Sequence, residues 1–274
     1  MKIIFFGTPK FGAIVLEKLA LTEYKPILVV TEPDKPAGRE QKLKTPECKI
    51  IAEKFRIPVA QPKKISDFGF RISDLQPDLV VVAAYGQILP KEILEIPKFG
   101  CLNVHPSLLP KYRGPSPIQY AILNRESETG VTIIKMDELV DHGSIISNVK
   151  IQIQKSPLLR DPVATGQFKN LNYETLEIKL AELGAALLIK TIQDWTAEKI
   201  KAVPQNESAA TFTKIIKKED GKIDWRDSAE KIEAKIRAFE SWPGTFCLWN
   251  GKRIKILEAE AKILQNDKKY DIGR

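Results

Sequence analysis

Residues 78 to 84, Asp-Leu-Val-Val-Val-Ala-Ala, place six apolar side chains in unbroken succession. A strand with one wet face alternates between apolar and polar, so an unbroken run belongs to a strand covered on both faces, as in a parallel sheet flanked by helices. The neighbouring stretches fit the same α/β plan. Residues 2 to 6 form a short apolar run ending at Gly7, and residues 10 to 22 set Phe11, Val15, Leu16, Leu19 and Ala20 at helical spacing. Pro26 to Thr31 reads as a second strand, Glu47 to Phe55 as a helix, Ile57 to Ala60 as a short strand and Leu102 to His105 as another central strand. The first turn holds only Gly7 and Gly12, not the Gly-x-Gly-x-x-Gly of a dinucleotide site, which disfavours a nicotinamide enzyme.

A chain of 274 residues predicts one large domain and a smaller one. Tyr173 to Trp195 is the longest amphipathic stretch, with Leu176, Leu180, Leu183, Ala186, Leu187 and Ile189 as its expected apolar stripe. It is expected to close a first domain over residues 1–195. Residues 196–208 read as a linker and 209–274 as a tail domain. In the tail, Ser228 is the expected cap of a helix running to Phe239. Asn250-Gly251 between apolar runs predicts a hairpin, since both residues of a type I′ turn need positive φ; a small mixed or β-barrel module fits this end. Residues 154–172, polar and proline-bearing, read as a surface insertion.

Three scattered cysteines, Cys48, Cys101 and Cys247, match neither a disulfide framework nor a metal site and point to a reducing compartment. The apolar run after Met1 is too short for a signal peptide or a membrane span, so a cytoplasmic protein is expected, without a membrane partner. Two histidines with no cysteine cluster argue against zinc.

The net charge of +8 favours a polyanionic partner, and residues 211–274 hold 15 Lys and Arg against 11 Asp and Glu, half of the excess. A second basic concentration lies after the second strand, where Lys35, Arg39, Lys42 and Lys44 follow one another. Its prolines and glycine are expected to exclude regular structure and leave an exposed binding loop.

One strand breaks the apolar rule. Asn103 and His105 lie two apart, so they share a face of the Leu102 to His105 strand. A strand core rejects such groups unless something uses them. Thr129 to Met136 and Ser144 to Ile153 form a strand pair whose tip, Asp137-Glu-Leu-Val-Asp-His-Gly143, carries Asp141 within reach of that strand's end. His142, one residue along, points elsewhere. An Asn, a His and an Asp at the mouth of a parallel sheet suit acyl or formyl transfer to an amine. Asn and protonated His donate to the developing oxyanion, Asp orients the imidazole, and a carboxylate helps to carry the proton. The absence of a Gly-x-Ser-x-Gly elbow, and of a cysteine beside either histidine, argues against a covalent acyl-enzyme. Tyr85-Gly-Gln-Ile-Leu-Pro90, just past the apolar strand, is the expected pocket wall.

Asn103-Val-His105-Pro-Ser-Leu-Leu-Pro110 with Arg113-Gly114 and Asp141-His-Gly143 resembles the signature of the folate-dependent formyltransferases. Gly7-Thr-Pro9, the loop Pro33 to Arg39, Leu180 to Gly184, Ile223-Asp-Trp225 and Arg237-Ala-Phe239 resemble the branch acting on methionyl-tRNA. The resemblance implies a Rossmann-like catalytic domain and an OB-type barrel in the tail. It implies a monomer that transfers formyl from 10-formyltetrahydrofolate to methionine on initiator tRNA, without a metal. On it, Asn103, His105 and Asp141 match catalytic positions. Ser107, Leu108, Leu109 and Pro110 match the folate segment, with Tyr85, Gly86, Ile88 and Leu89 walling the pterin. Arg39 matches a loop arginine at the tRNA acceptor end, with Lys35, Lys42 and Lys44 beside it. Leu139 and His142 stand where the family more often has Gly and Thr. The chain stops at Arg274, short of further barrel strands, so an incomplete tail domain is expected. The alternatives are a formyltransferase for an amino sugar nucleotide and a catalytically silent RNA-binding protein.

Overall fold

The computed structural model describes residues 1–37, 42–153 and 171–261. In chain order the elements are β1 (Ile3–Gly7), α1 (Lys10–Ala20), β2 (Leu28–Val30), β3 (Lys35–Ala37), β4 (Lys42–Lys44), α2 (Glu47–Lys54) and β5 (Val59–Ala60). There follow α3 (Gly69–Leu75), β6 (Leu79–Ala83), α4 (Lys91–Leu94), β7 (Cys101–His105), α5 (Pro117–Leu123), β8 (Glu128–Lys135) and β9 (Ser144–Gln152). The last are α6 (Tyr173–Thr196), α7 (Ala229–Ala238), β10 (Thr245–Trp249) and β11 (Lys252–Ile256). Among the described residues no helix is long and apolar enough to cross a membrane.

The chain divides into two compact units. The first comprises Met1–Arg113, Gly130–Val149 and Ile178–Thr211. Its sheet runs in the order β5-β2-β1-β6-β7-β8-β9, parallel from β5 to β7, with β8 antiparallel to β7. This is the Rossmann-like plan, and β1 and β6 are completely buried, as their apolar runs require. Successive strands leave β1 in one direction and β6 in the other, so the sheet switches direction between them. Crevices at the carboxyl ends of strands around such a switch are where α/β sheets bind ligands.

Two local expectations are corrected. The basic loop is not irregular: β3 and β4 pair antiparallel, with Pro36 opposite Leu43. A lone two-stranded ribbon is all edge, so a proline whose missing N–H would point outward breaks no ladder. Arg39 lies outside the described residues. The apolar stripe of α6 is turned from the expected one: Ala186 is exposed and Leu183, Leu187 and Ile189 are only half-buried, while Leu180, Ala181, Ala185, Leu188 and Ile192 are buried. Gly184 decides this. A Cβ there would lie 2.8 Å from Val104 Cγ1 and 3.2 Å from Val131 Cγ1, so the helix rests on β7 and β8 through its glycine face. Gly184→Val is expected to lower stability by about 1 to 3 kcal/mol, read as a reduced urea midpoint at unchanged slope. The expected linker, 196–208, makes an isolated bridge to the sheet. Val203 exchanges two backbone hydrogen bonds of 2.8 Å with Ile145, covering the open edge of β9.

Between β5 and β6, where no element is expected above, Ile65–Phe68 forms a 3-10 turn and α3 follows; Ile65, Phe68, Ile72 and Leu75 stand at helical spacing, with Ile65 and Ile72 buried. The insertion read at 154–172 lies, up to residue 170, outside the described residues.

The second unit comprises Gly114–Thr129, Lys150–Glu177 and Phe212–Arg274. Here α7 packs on α5, and Ser228 caps α7 by accepting from the Lys231 N–H. β10 and β11 pair antiparallel around Asn250 and Gly251, whose φ of 48° and 74° suit the expected turn.

Candidate active site

β7 pairs in parallel with β6, placing Asn103 opposite Val82, and alternation sends Asn103 and His105 to one face at the carboxyl end. His105 is buried and Asn103 half-buried. Asp141 arrives from the tip between β8 and β9, where its φ of 49° lies in the left-handed region. The tip can close because a Cβ on Gly143 would run into the Lys135 carbonyl.

The three side chains meet on one oxygen. Asn103 Nδ2 donates to Asp141 Oδ1 at 3.1 Å, and His105 Nδ1 lies 3.4 Å from the same atom. His105 Nε2 lies 3.0 Å from the Tyr112 carbonyl. Both ring nitrogens face acceptors, so both are satisfied when each carries a proton. The arrangement sets an amide donor, an imidazole and a carboxylate around one oxygen, the amide hydrogen-bonded to it and the imidazole within 3.4 Å. It suits carrying a proton and stabilising an oxyanion.

A strap of residues 203–211 braces the unit. Thr211 accepts the Arg113 N–H through its carbonyl at 2.9 Å and the Tyr112 N–H through Oγ1 at 2.8 Å, fixing the carbonyl that His105 uses. Gln205 Nε2 donates to the carbonyls of Asp141 and Gly143, each at 2.8 Å. Its Oε1 accepts from Arg113 Nε at 3.1 Å and Nη2 at 2.9 Å. Arg113 also forks onto Glu207, at 2.9 and 2.6 Å, and this hydrogen bonding holds the Glu207 carboxyl below its ordinary range. Sequence alone passes over Gln205 and Tyr112: the first sits in a polar stretch without periodicity, and the second acts through a backbone oxygen. His142 stands apart, its Nδ1 on Asp137 and its Nε2 3.6 Å from Glu207.

The 107–110 segment is pinned to β8. Thr132 Oγ1 donates to the Ser107 carbonyl at 2.7 Å and accepts the Leu109 N–H at 3.1 Å, while Ser107 Oγ donates to the Lys111 carbonyl at 2.6 Å. Ser107 and Leu109 are buried, Leu108 and Pro110 half-buried. In the loop after β6, Tyr85 and Leu89 turn into the core, Tyr85 edge-on to Phe6 at 5.1 Å between ring centroids. Burial, with Glu32 nearby, pushes the Tyr85 phenol up to about 12. Gly86 and Ile88 are exposed, Ile88 by 71%. Burial likewise pushes the Cys101 thiol up to about 12, so Cys101 offers no thiolate nucleophile at neutral pH.

On the β3–β4 ribbon, Lys35 pairs with Glu32 at 2.9 Å and Lys44 with Glu47 at 3.0 Å. Both lysines are more than half exposed, so these pairs are weak and can be exchanged for a stronger anion. Lys42 lies in β4.

Two family descriptions match the chain: Formyl transferase over residues 1–161, and Formyl transferase, C-terminal domain, over 215–274. The methionyl-tRNA formyltransferase of Halalkalibacterium halodurans is 46% identical over 262 residues, which is 95% of this chain and 78% of that protein. That of Caldicellulosiruptor saccharolyticus is 43% identical over 270 residues, 97% of this chain and 82% of that one. Among solved structures, a 4-N formyltransferase from Francisella tularensis superposes with a TM-score of 0.70 at 19% identity, covering 96% of this chain and 99% of its own. An N-formyltransferase from Helicobacter canadensis, in complex with folinic acid and dTDP-3-aminofucose, gives 0.66 at 22%, covering 94% and 86%. At such identities these two structures establish the shared fold.

Proposed function

The chain belongs to the methionyl-tRNA formyltransferase family, and from that premise we infer that it transfers the formyl group of 10-formyltetrahydrofolate to the α-amino group of methionine on initiator tRNA. The observation that carries the chemistry is the meeting of Asn103 and His105 on Asp141 Oδ1 at the carboxyl end of β7.

The bound folate supplies the formyl carbon as electrophile. We assign the folate ring to the exposed Ile88 and Gly86 beyond β6 and to the 107–110 segment, which its hydrogen bonds to Thr132 hold in place. As the amine adds to the formyl carbon, a new C–N bond forms and negative charge collects on the formyl oxygen. Asn103 Nδ2 has a second N–H to donate to that oxygen, and His105 Nδ1–H, at a long 3.4 Å from Asp141 Oδ1, is the ring donor shared between the carboxylate and that oxygen. The amine nitrogen must then lose a proton, and Asp141 accepts it directly or through water. When the bond to the folate nitrogen breaks, that nitrogen takes up a proton in exchange, so the reaction is balanced without an external acid.

Formylation of charged initiator tRNA, assayed beside an amino sugar nucleotide with the same formyl donor, tests the assignment. Formyl-methionine on tRNA is the expected product. Transfer to the sugar alone, or no transfer to either acceptor, refutes it. We place the reaction in the cytoplasm, with a monomer acting on tRNA, and assign acceptor engagement to the basic ribbon bearing Lys35, Lys42 and Lys44 and to Arg39. Arg39→Ala is expected to raise the KM for tRNA while leaving that for the formyl donor unchanged. It should also reduce the dependence of log KM on log salt by about 1, the signature of one lost phosphate contact.

A further inference from the structure

We propose that Gln205 is a positioning residue for formyl transfer: its amide, locked in orientation by Arg113, holds the backbone on either side of His142 so that the Asp141 carboxylate stays on Asn103 and His105. The role rests on Asp141 being the catalytic carboxylate proposed above.

Asp141 needs holding. At a φ of 49° it sits in the left-handed region, which an aspartate keeps only where surrounding contacts hold it there. The contacts that do so converge on one side chain. Gln205 is buried and uses both faces of its amide: Nε2 on the carbonyls of Asp141 and Gly143, Oε1 on the guanidinium of Arg113. A free glutamine amide flips readily, and only its orientation with nitrogen toward the tip restrains the tip. Arginine has donors alone, so Arg113 admits only the oxygen and thereby sends both N–H groups to the carbonyls. Glu207 fixes Arg113 in turn through two hydrogen bonds. A buried amide with every polar group satisfied is rigid. Flanking His142 with two anchored carbonyls leaves the Asp141 side chain little freedom to leave His105.

The test uses the full chain and compares wild type, Gln205→Leu, Gln205→Glu, Asp141→Asn and the two double variants. Leucine removes every hydrogen bond. Glutamate keeps the volume and the acceptor for Arg113 and loses the donors, so it reports on the restraint even where leucine compromises folding. Each Gln205 variant is expected to lower kcat by about 10- to 100-fold, the scale of an ångström-sized displacement of a reacting group, with KM for tRNA and for the formyl donor little changed. In the Asp141→Asn background the same substitutions should change kcat by less than about twofold, because the carboxylate they position is already gone. A Gln205→Glu enzyme with wild-type kcat, a loss carried by KM, or an equal loss in both backgrounds would overturn the proposal. If Asp141→Asn itself turns over at the wild-type rate, the catalytic reading of Asp141 falls and this one with it. If Asp141→Asn is slow and both Gln205 variants are fast, only the positioning role falls.

Discussion

Replacing His105 by alanine is expected to lower the turnover of formyl transfer by about 10²- to 10³-fold or more, in line with the loss of an oxyanion donor. The substitution removes two contacts. One is the approach of Nδ1 to Asp141 Oδ1, which leaves the carboxylate with Asn103; the other is the Nε2 contact to the Tyr112 carbonyl. The second loss is structural. An acceptor left without its donor in a buried setting costs about 1 to 3 kcal/mol, against a total stability of about 5 to 15 kcal/mol for an ordinary domain. The variant should therefore fold, melt a few degrees early and fail at chemistry. Single-turnover rates on charged tRNA with saturating formyl donor, read beside the melting curve, separate the two effects. A near-normal rate would remove His105 from the mechanism. Asn103→Ala should cost a similar factor in rate with a smaller effect on melting, since Asn103 is only half-buried.

How far the site could be read from sequence follows from which atoms do the work. Asn103 and His105 were legible because polar side chains on a buried strand face need an explanation, and the expected neighbour, Asp141, meets them in the structure. β1 and β6 were legible because strands buried on both faces leave unbroken apolar runs. The strap was not. Gln205 works on two backbone carbonyls, and the partner of His105 Nε2 is a third; carbonyls leave no trace in a residue string. Its polar composition suited a linker equally well. The stripe of α6 was misplaced for a different reason. Leucines and isoleucines lie nearly all round that helix, so periodicity offered several faces, and the smallness of Gly184 selected the one that meets Val104 and Val131. The ribbon at Lys35–Lys44 was hidden by Pro36, whose penalty applies inside a sheet and not at an isolated pair of edges.

Asp141→Asn is expected to lower kcat by about 10²- to 10⁴-fold, the range for a positioned acid–base group, while leaving the hairpin tip in place. Asparagine tolerates the left-handed region as aspartate does, so the φ of 49° adds no new strain, whereas alanine would confound lost charge with backbone cost. An asparagine oxygen can still accept from Asn103 Nδ2 and face His105 Nδ1, since both contacts fall on Oδ1 alone. Geometry is thus retained and the negative charge is removed. Two consequences separate this variant from a merely disturbed site. KM for the formyl donor should stay near wild type, because the proposed folate segment is pinned through Thr132 and not through Asp141. The solvent deuterium isotope effect on kcat should also change, since the group that takes up the amine proton is gone. A variant that keeps the wild-type isotope effect at reduced rate would assign Asp141 to holding the tip alone. The proton would then leave through water, since a His105 ring that donates from both nitrogens has no site for it.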